Sequence, residues 1–205
     1  MTTQTDIIKK RYDRIAPYFD RIEGMMEKMM FGDLRTHIWD KVTGEKILEV
    51  GVGTGKNFSY YPANKNISAI DFSPVMIQEA KKKRQSLSLK IELLEMDVQA
   101  LDFPDNHFDT VIGTFLFCSV PSPEQGLQEL KRVCKPGGEV LLLEHVLSSN
   151  PLIAPIMHLL NSLTVRLVGA NINRKTVTTV QACGFSSVEV LAASSHLVKL
   201  IRAVK

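Results

Sequence analysis

No stretch of the 205-residue chain is both long enough and apolar enough to read as a membrane span. The most apolar segment, Pro151 to Ala170, is broken by Pro155, His158, Asn161 and Arg166, which argues against crossing a bilayer but not against touching one. Cysteine is scarce: Cys118, Cys134 and Cys183 stand far apart with no CxxC or Cys/His pair, so neither a disulfide framework nor a bound metal is expected. An excess of one charge is lacking as well. With 25 Lys and Arg against 22 Asp and Glu, the net charge is +3 and the cations are scattered, which excludes the electrostatic footprint that nucleic acid requires. The densest run, Lys81 to Arg84, follows an apolar helical stretch and reads as a solvated helix end. The opening Met-Thr-Thr-Gln-Thr-Asp lacks the basic start and apolar core of a secretion signal, so a cytoplasmic protein is expected. Repeats and low-complexity tracts are absent.

What is present is the composition of a globular protein, with 44% apolar and 23% charged residues. Its length suits one domain, 1–205, rather than two. The apolar stripe from Ile7 to Phe31 predicts two short amphipathic helices divided near Pro17 and Gly24, and a further helix is expected at Leu34 to Val42. Together these form an N-terminal helical cap, 1–44. From 45 to 145 strands and helices alternate. Strands are expected at Lys46–Val50, Asn66–Ile70, Ile91–Met96, Thr110–Phe115 and Glu139–His145, with helices at Lys56–Tyr60, Pro74–Arg84 and Pro123–Cys134. Such alternation predicts an α/β fold with a doubly wound, mostly parallel sheet. An apolar insertion follows at 146–173. The end, 174–205, reads as a helix to Ala182 and two antiparallel strands, Ser187–Ala192 and Leu197–Val204, which makes seven strands in all.

The most informative segment is Glu49-Val-Gly51-Val-Gly53-Thr-Gly55-Lys56-Asn57, a buried strand running into a turn of alternate glycines at a helix start. A dinucleotide fingerprint would place its third glycine at position 56, where Lys56 stands. The Glu49 carboxylate would also repel a pyrophosphate, whereas it suits a ligand carrying an ammonium and a sulfonium. Asp71 lies 20 residues beyond Gly51, the spacing at which an acid meets ribose hydroxyls. Ser73 and Pro74 read as an N-cap and a first-turn proline, and Phe72 and Met76 are candidates to flank an adenine. Asp97, at the next strand end, can accept from the adenine amino group.

At this point a resemblance can be stated. The runs EVGVGTGKN, AIDFSPVMI, EMDVQALDFPDNHFDTVIGTFLFCSV and LKRVCKPGGEVLLLEH resemble the class I S-adenosylmethionine-dependent methyltransferases over Lys46 to His145. The resemblance implies their Rossmann-like fold, with S-adenosyl-L-methionine as cofactor and S-adenosyl-L-homocysteine as product. It implies that Glu49, Gly51, Gly53 and Gly55 meet the methionine part, Asp71 the ribose, and Asp97 with Val98 the adenine. Asn57, Ser73, Thr114 and Tyr12 complete the expected cofactor contacts.

For the methyl acceptor, Tyr12 to Asp20 resembles the cap of bacterial phospholipid N-methyltransferases and of quinone-biosynthesis C-methyltransferases. The closing motifs of the quinone enzymes are missing. GKNFSYYP, LFCSV, LEHV and GANINRKTV are similar to membrane-associated thiol S-methyltransferases. The leading expectation is a small amphipathic acceptor, best a phosphatidylethanolamine-type nitrogen, with a thiol or a quinone precursor as alternatives. A catalytically silent cofactor-binding module is the expectation from another class. Tyr18, Phe19, Phe115, Cys118, His158 and Arg174 are the expected acceptor contacts, and His145 and Tyr18 the catalytic candidates, His145 because an imidazole titrates near neutrality. Arg174 pairs with an acidic head group or lies on a solvated helix face. The methionine-rich stretch Met25, Met26, Met29 and Met30 and the insertion at Pro151 to Ala170 would form an apolar mouth at a membrane surface.

Overall fold

The computed structural model describes residues 3–30, 34–194 and 196–205, with the backbone alone at residues 20–30, 168 and 194. Seven strands form one sheet: β1 (Lys46–Val50), β2 (Asn66–Asp71), β3 (Glu92–Glu95), β4 (Phe108–Thr114), β5 (Cys134–His145), β6 (Ser187–Ser194) and β7 (Val198–Val204). Their order is β3-β2-β1-β4-β5-β7-β6, and only the pairings of β7 with β5 and β6 are antiparallel. The sheet is therefore the expected doubly wound one. The chain winds outward from β1 to β3 and returns to place β4 beside β1, which makes a topological switch point at the β1/β4 strand ends.

Both faces of the sheet are covered, so its central strands carry apolar residues in succession rather than in alternation. Leu48, Val50, Val111, Val140 and Leu142 point to one face, against Leu127 and Leu130 of α4 (Pro123–Val133) and Val180 of α6 (Thr176–Ala182). Ile47, Ile112, Leu141 and Leu143 point to the other, against Leu34, Ile38 and Trp39 of α2 (Leu34–Trp39). Helix α3 (Pro74–Ser86) covers Ala69 and Leu93 with Ile77 and Ala80, and it begins as expected, with the Ser73 hydroxyl accepting from the Met76 amide.

Several expectations are corrected. Helix α1 runs unbroken over Gln4–Met30, with the exposed Pro17 inside it. The segment Lys56–Tyr60 is a 3₁₀ helix, and α2 stops at Trp39. Strands β4 and β5 start earlier than their apolar runs suggest, at Phe108 and Cys134, paired across a register shift. The Lys135 to Gly138 stretch looks like a turn in sequence. It stays in the sheet because a Cβ at Gly138 would stand only 2.7 Å from the Asp109 carbonyl, an approach that glycine permits. The methionines of the expected cap, Met25 to Met30, have side chains outside the described residues, as does Phe31. The apolar insertion carries α5 (Ile153–Val168). Among the described residues no helix is long and apolar enough to cross a membrane.

Candidate active site

A cleft of about 350 Å³, open to solvent, lies at the C-terminal ends of β1 to β4. Gly51, Ile70, Asp71 and Phe72 form one wall, Met96, Asp97, Val98 and Gln99 the floor, and Leu116, Ser119, Val120 and Pro121 the other wall, with Thr5 of α1 at the mouth. Helix α1 is pinned above this edge by the Ser73 hydroxyl donating to Asp13 (2.5 Å) and by Lys9 with Glu95 (2.6 Å). The glycine turn follows β1. Gly53 sits at φ +55 with nothing within 4 Å of where a Cβ would be, so this turn presents bare backbone to open space. Gly55 is a packing glycine: a Cβ there would fall 2.4 Å from the Phe58 ring.

Asp71 anchors the turn. Its carboxylate accepts from the amides of Gly53 and Ser73, each at 2.9 Å, and a carboxylate's remaining lone pairs suffice for further donors. Burial raises its pKa to about 6, against the pull of those amides. Asp97 is held by Gln99, whose amide nitrogen and backbone N–H both donate to it. Glu49 is more deeply placed, at 1% exposure. Its oxygens accept from Asn57 Nδ2 (2.6 Å) and from the Tyr61 hydroxyl. Burial lifts its pKa to about 7, offset by those bonds and by Arg35. Arg35 in turn donates to Asn57 (2.7 Å) and Thr114 (3.1 Å) and lies over the Phe115 ring. Two desolvated carboxyls and a bare glycine turn along one edge suit a cationic, nucleoside-bearing ligand, since an arriving positive charge restores both carboxylates.

The structure gathers some expected residues here and disperses others. Gly51, Asp71, Phe72, Asp97 and Val98 share the cleft. Tyr12 stands edge-on to Phe72 and near Phe19, whose ring lies beneath the Lys56 ammonium. Asn57 and Thr114 belong to the Glu49 network. Met76 is buried in the core at 1% exposure and does not reach the cleft, because the α3 period turns it inward. Tyr18 is 60% exposed, away from the cleft lining. His145 packs on Phe115, and burial lowers its pKa. The buried Cys118 thiol donates to the Phe115 carbonyl. His158 is exposed beside Asn173. Arg174 is on no solvated helix face: half-buried ahead of α6, it donates to the Val120 carbonyl (2.9 Å) and so braces the cleft wall.

The fold agrees with what the chain is similar to. A methyltransferase domain family matches residues 48–142. The chain is 38% identical over 144 residues to a phosphatidylethanolamine N-methyltransferase of Cereibacter sphaeroides, an alignment covering 69% of this chain and 70% of that one. It belongs to the class I S-adenosylmethionine-dependent methyltransferases. A demethylmenaquinone methyltransferase of Renibacterium salmoninarum is 30% identical over 175 residues, 83% of this methyltransferase and 71% of its relative. In fold, the methyltransferase is similar to a solved S-adenosylmethionine-dependent enzyme of Thermotoga maritima, described as a possible histamine N-methyltransferase. The TM-score is 0.72 at 18% identity, covering 96% of this chain and 99% of that one.

Sequence reasoning missed three polar residues packed beside the candidate site: Arg35, Tyr61 and Glu144. A lone acid inside the apolar run of β5 was the available signal for Glu144. That residue has no exposed surface, and its Oε1 accepts from the amides of Leu116 (2.9 Å) and Phe117 (3.1 Å). It thereby fixes the turn after β4, where Phe115 is held at φ 53, a conformation costly for a bulky residue. Burial raises the Glu144 pKa to about 8 from 4.5, so the folded state holds a proton that the unfolded chain has released over that interval. Stability then falls as pH rises through the interval. Glu49 and Asp71 add to the fall only up to about 7 and 6, and His145, shifted downward, has already lost its proton by pH 7. Between pH 7 and 8 Glu144 dominates, with a mean slope of about 1 kcal/mol per pH unit. Urea unfolding of Glu144→Gln, which keeps an acceptor without a titrating proton, should show that slope flattened.

Proposed function

We propose that the chain methylates the amine of a phosphatidylethanolamine-type lipid. The observation that carries this reading is the 38% identity to a phosphatidylethanolamine N-methyltransferase over 70% of that protein's length. The chemistry of the cleft supports it. In this reading Asp71 takes the ribose hydroxyls, Asp97 and Val98 the adenine edge, Phe72 a face of the ring, and the Gly51 to Gly55 turn the methionine part. The bound donor supplies a methyl on a sulfonium, and transfer is an in-line displacement that depends mainly on proximity and orientation.

The acceptor must arrive as a neutral nucleophile. Leu116, Val120 and Pro121 make the far wall largely apolar. Such a wall disfavours an ammonium and lowers an amine's pKa, whereas it raises a thiol's and suppresses the thiolate. It therefore favours nitrogen over sulfur. The proton lost after methylation leaves from the new ammonium to water, so the reading assigns no residue as base, His145 and Tyr18 included. Incubation with labelled S-adenosylmethionine and separate pools of phosphatidylethanolamine, alkyl thiol and quinol precursor tests the reading. Label is expected in the lipid; label in the thiol or quinol alone overturns it, and donor binding without turnover on any pool points to a silent module.

A further inference from the structure

Helix α5 is built inside out. Leu152, just ahead of it, and Ile156, Leu159, Leu160, Leu163 and Leu167 are all exposed, Leu152 and Leu159 at 78% and 80%. At about 100° per residue they fall within an arc of about 100°. The groups it turns toward the protein are partly polar. Met157 sulfur accepts from the Ser148 amide, the Asn161 side chain holds Asn171 and the Ile172 amide, and the Val165 carbonyl accepts from Arg11. A continuous leucine face of this kind, left in water, is expected to be covered.

Charge indicates the cover. From His145 through Val188 the chain carries no Asp or Glu. Arg166 is exposed on α5, and Lys175 is exposed just beyond it. A second copy would bring the same cations face to face, whereas an anionic surface is complementary to them. The helix has 16 residues, about 24 Å, less than the roughly 30 Å of hydrocarbon in a bilayer, so it suits lying in the interface rather than crossing it.

We propose that the leucine face of α5 docks on a bilayer containing anionic lipid and so brings the cleft to the membrane surface. The link between helix and cleft is direct. Asn161 holds Asn171, and Asn171 donates from its amide (2.7 Å) and its side chain (3.1 Å) to the Cys118 carbonyl, two residues from Leu116 on the cleft wall. The purpose of docking, delivery of a lipid acceptor, rests on the function proposed above; docking itself does not.

The test uses the full chain and vesicles of phosphatidylcholine with or without a third of phosphatidylglycerol. Flotation with the anionic vesicles, reversed by salt, is expected. The variant Leu159→Ser/Leu163→Ser should bind them at least about tenfold more weakly, because it removes two apolar anchors from the interface. It should keep the parent's thermal midpoint and its turnover of a water-soluble short-chain phosphatidylethanolamine while losing turnover on anionic vesicles into which phosphatidylethanolamine has been mixed. No flotation of the parent, or equal flotation of the variant, overturns the proposal. So does a dimer in sedimentation that the variant dissociates, since the face would then be a self-interface. If the parent floats but leaves the short-chain lipid unmethylated, the acceptor reading fails and the docking surface stands.

Discussion

Replacing Asp71 by alanine is expected to weaken S-adenosylhomocysteine binding by roughly 1.5 to 3 kcal/mol, about 10- to 150-fold, the worth of a hydrogen bond to a charged group. The carboxylate ends β2 at the cleft wall and holds the amides of Gly53 and Ser73, so it shapes the glycine turn, and in the proposed reading its remaining lone pairs take the ribose hydroxyls. Asp71→Asn keeps an oxygen for only one of the two amides and sets a donor against the other, so it should recover part of the stability lost in Asp71→Ala and still lose affinity. Calorimetry reads both variants, and neither should gain affinity for a nicotinamide dinucleotide. Unchanged affinity in Asp71→Ala would remove this residue from the site.

Arg35→Met is expected to cost the fold about 3 to 5 kcal/mol, the penalty for removing one partner from a buried charged cluster. Arg35 is buried and serves Asn57, Thr114 and the Phe115 face, and it is the cation that holds the Glu49 pKa down against desolvation. Methionine fills much of the space but supplies no donor, leaving the Asn57 oxygen without the guanidinium and Glu49 without its counter-charge. For a domain of this size the loss corresponds to a midpoint lowered by roughly 6 to 20 °C, visible in thermal unfolding by circular dichroism. Arg35→Lys keeps the charge without the planar fork and should fall between the two. A stable Arg35→Met protein would mean the cluster contributes little to folding.

These two residues also mark the boundary of what sequence conveys. Asp71 was legible because its position is local: an apolar run, an acid at its end, a serine and proline opening a helix. The same holds for β1 and β2 and for α3, whose periods are set by neighbours within one element. Arg35 was not legible, because its partners Asn57 and Thr114 lie 22 and 79 residues away and meet it only once α2 has packed on the sheet. Met76 shows the converse: its chemistry fits an adenine pocket, yet the turn of α3 buries it. Pro17 misled because a proline inside a helix can weaken or kink it without ending it. Glu144 read as one more strand residue, since nothing in its own run announces that two amides from the end of β4 will close on it.

The strand order carries a lesson about assembly. Strand β7 lies between β5 and β6, and β6 touches the sheet through β7 alone. The rim strand is thus made before the one that fastens it, and it has no template of its own until its successor exists. Residues 187–204 therefore join best as a ready-made hairpin, zipping onto β5 with pairs such as Glu139 and Val204 that are 65 positions apart. Ring closure over so long a span is slow compared with hairpin formation, which makes it the natural late step in this molecule's route to its native state.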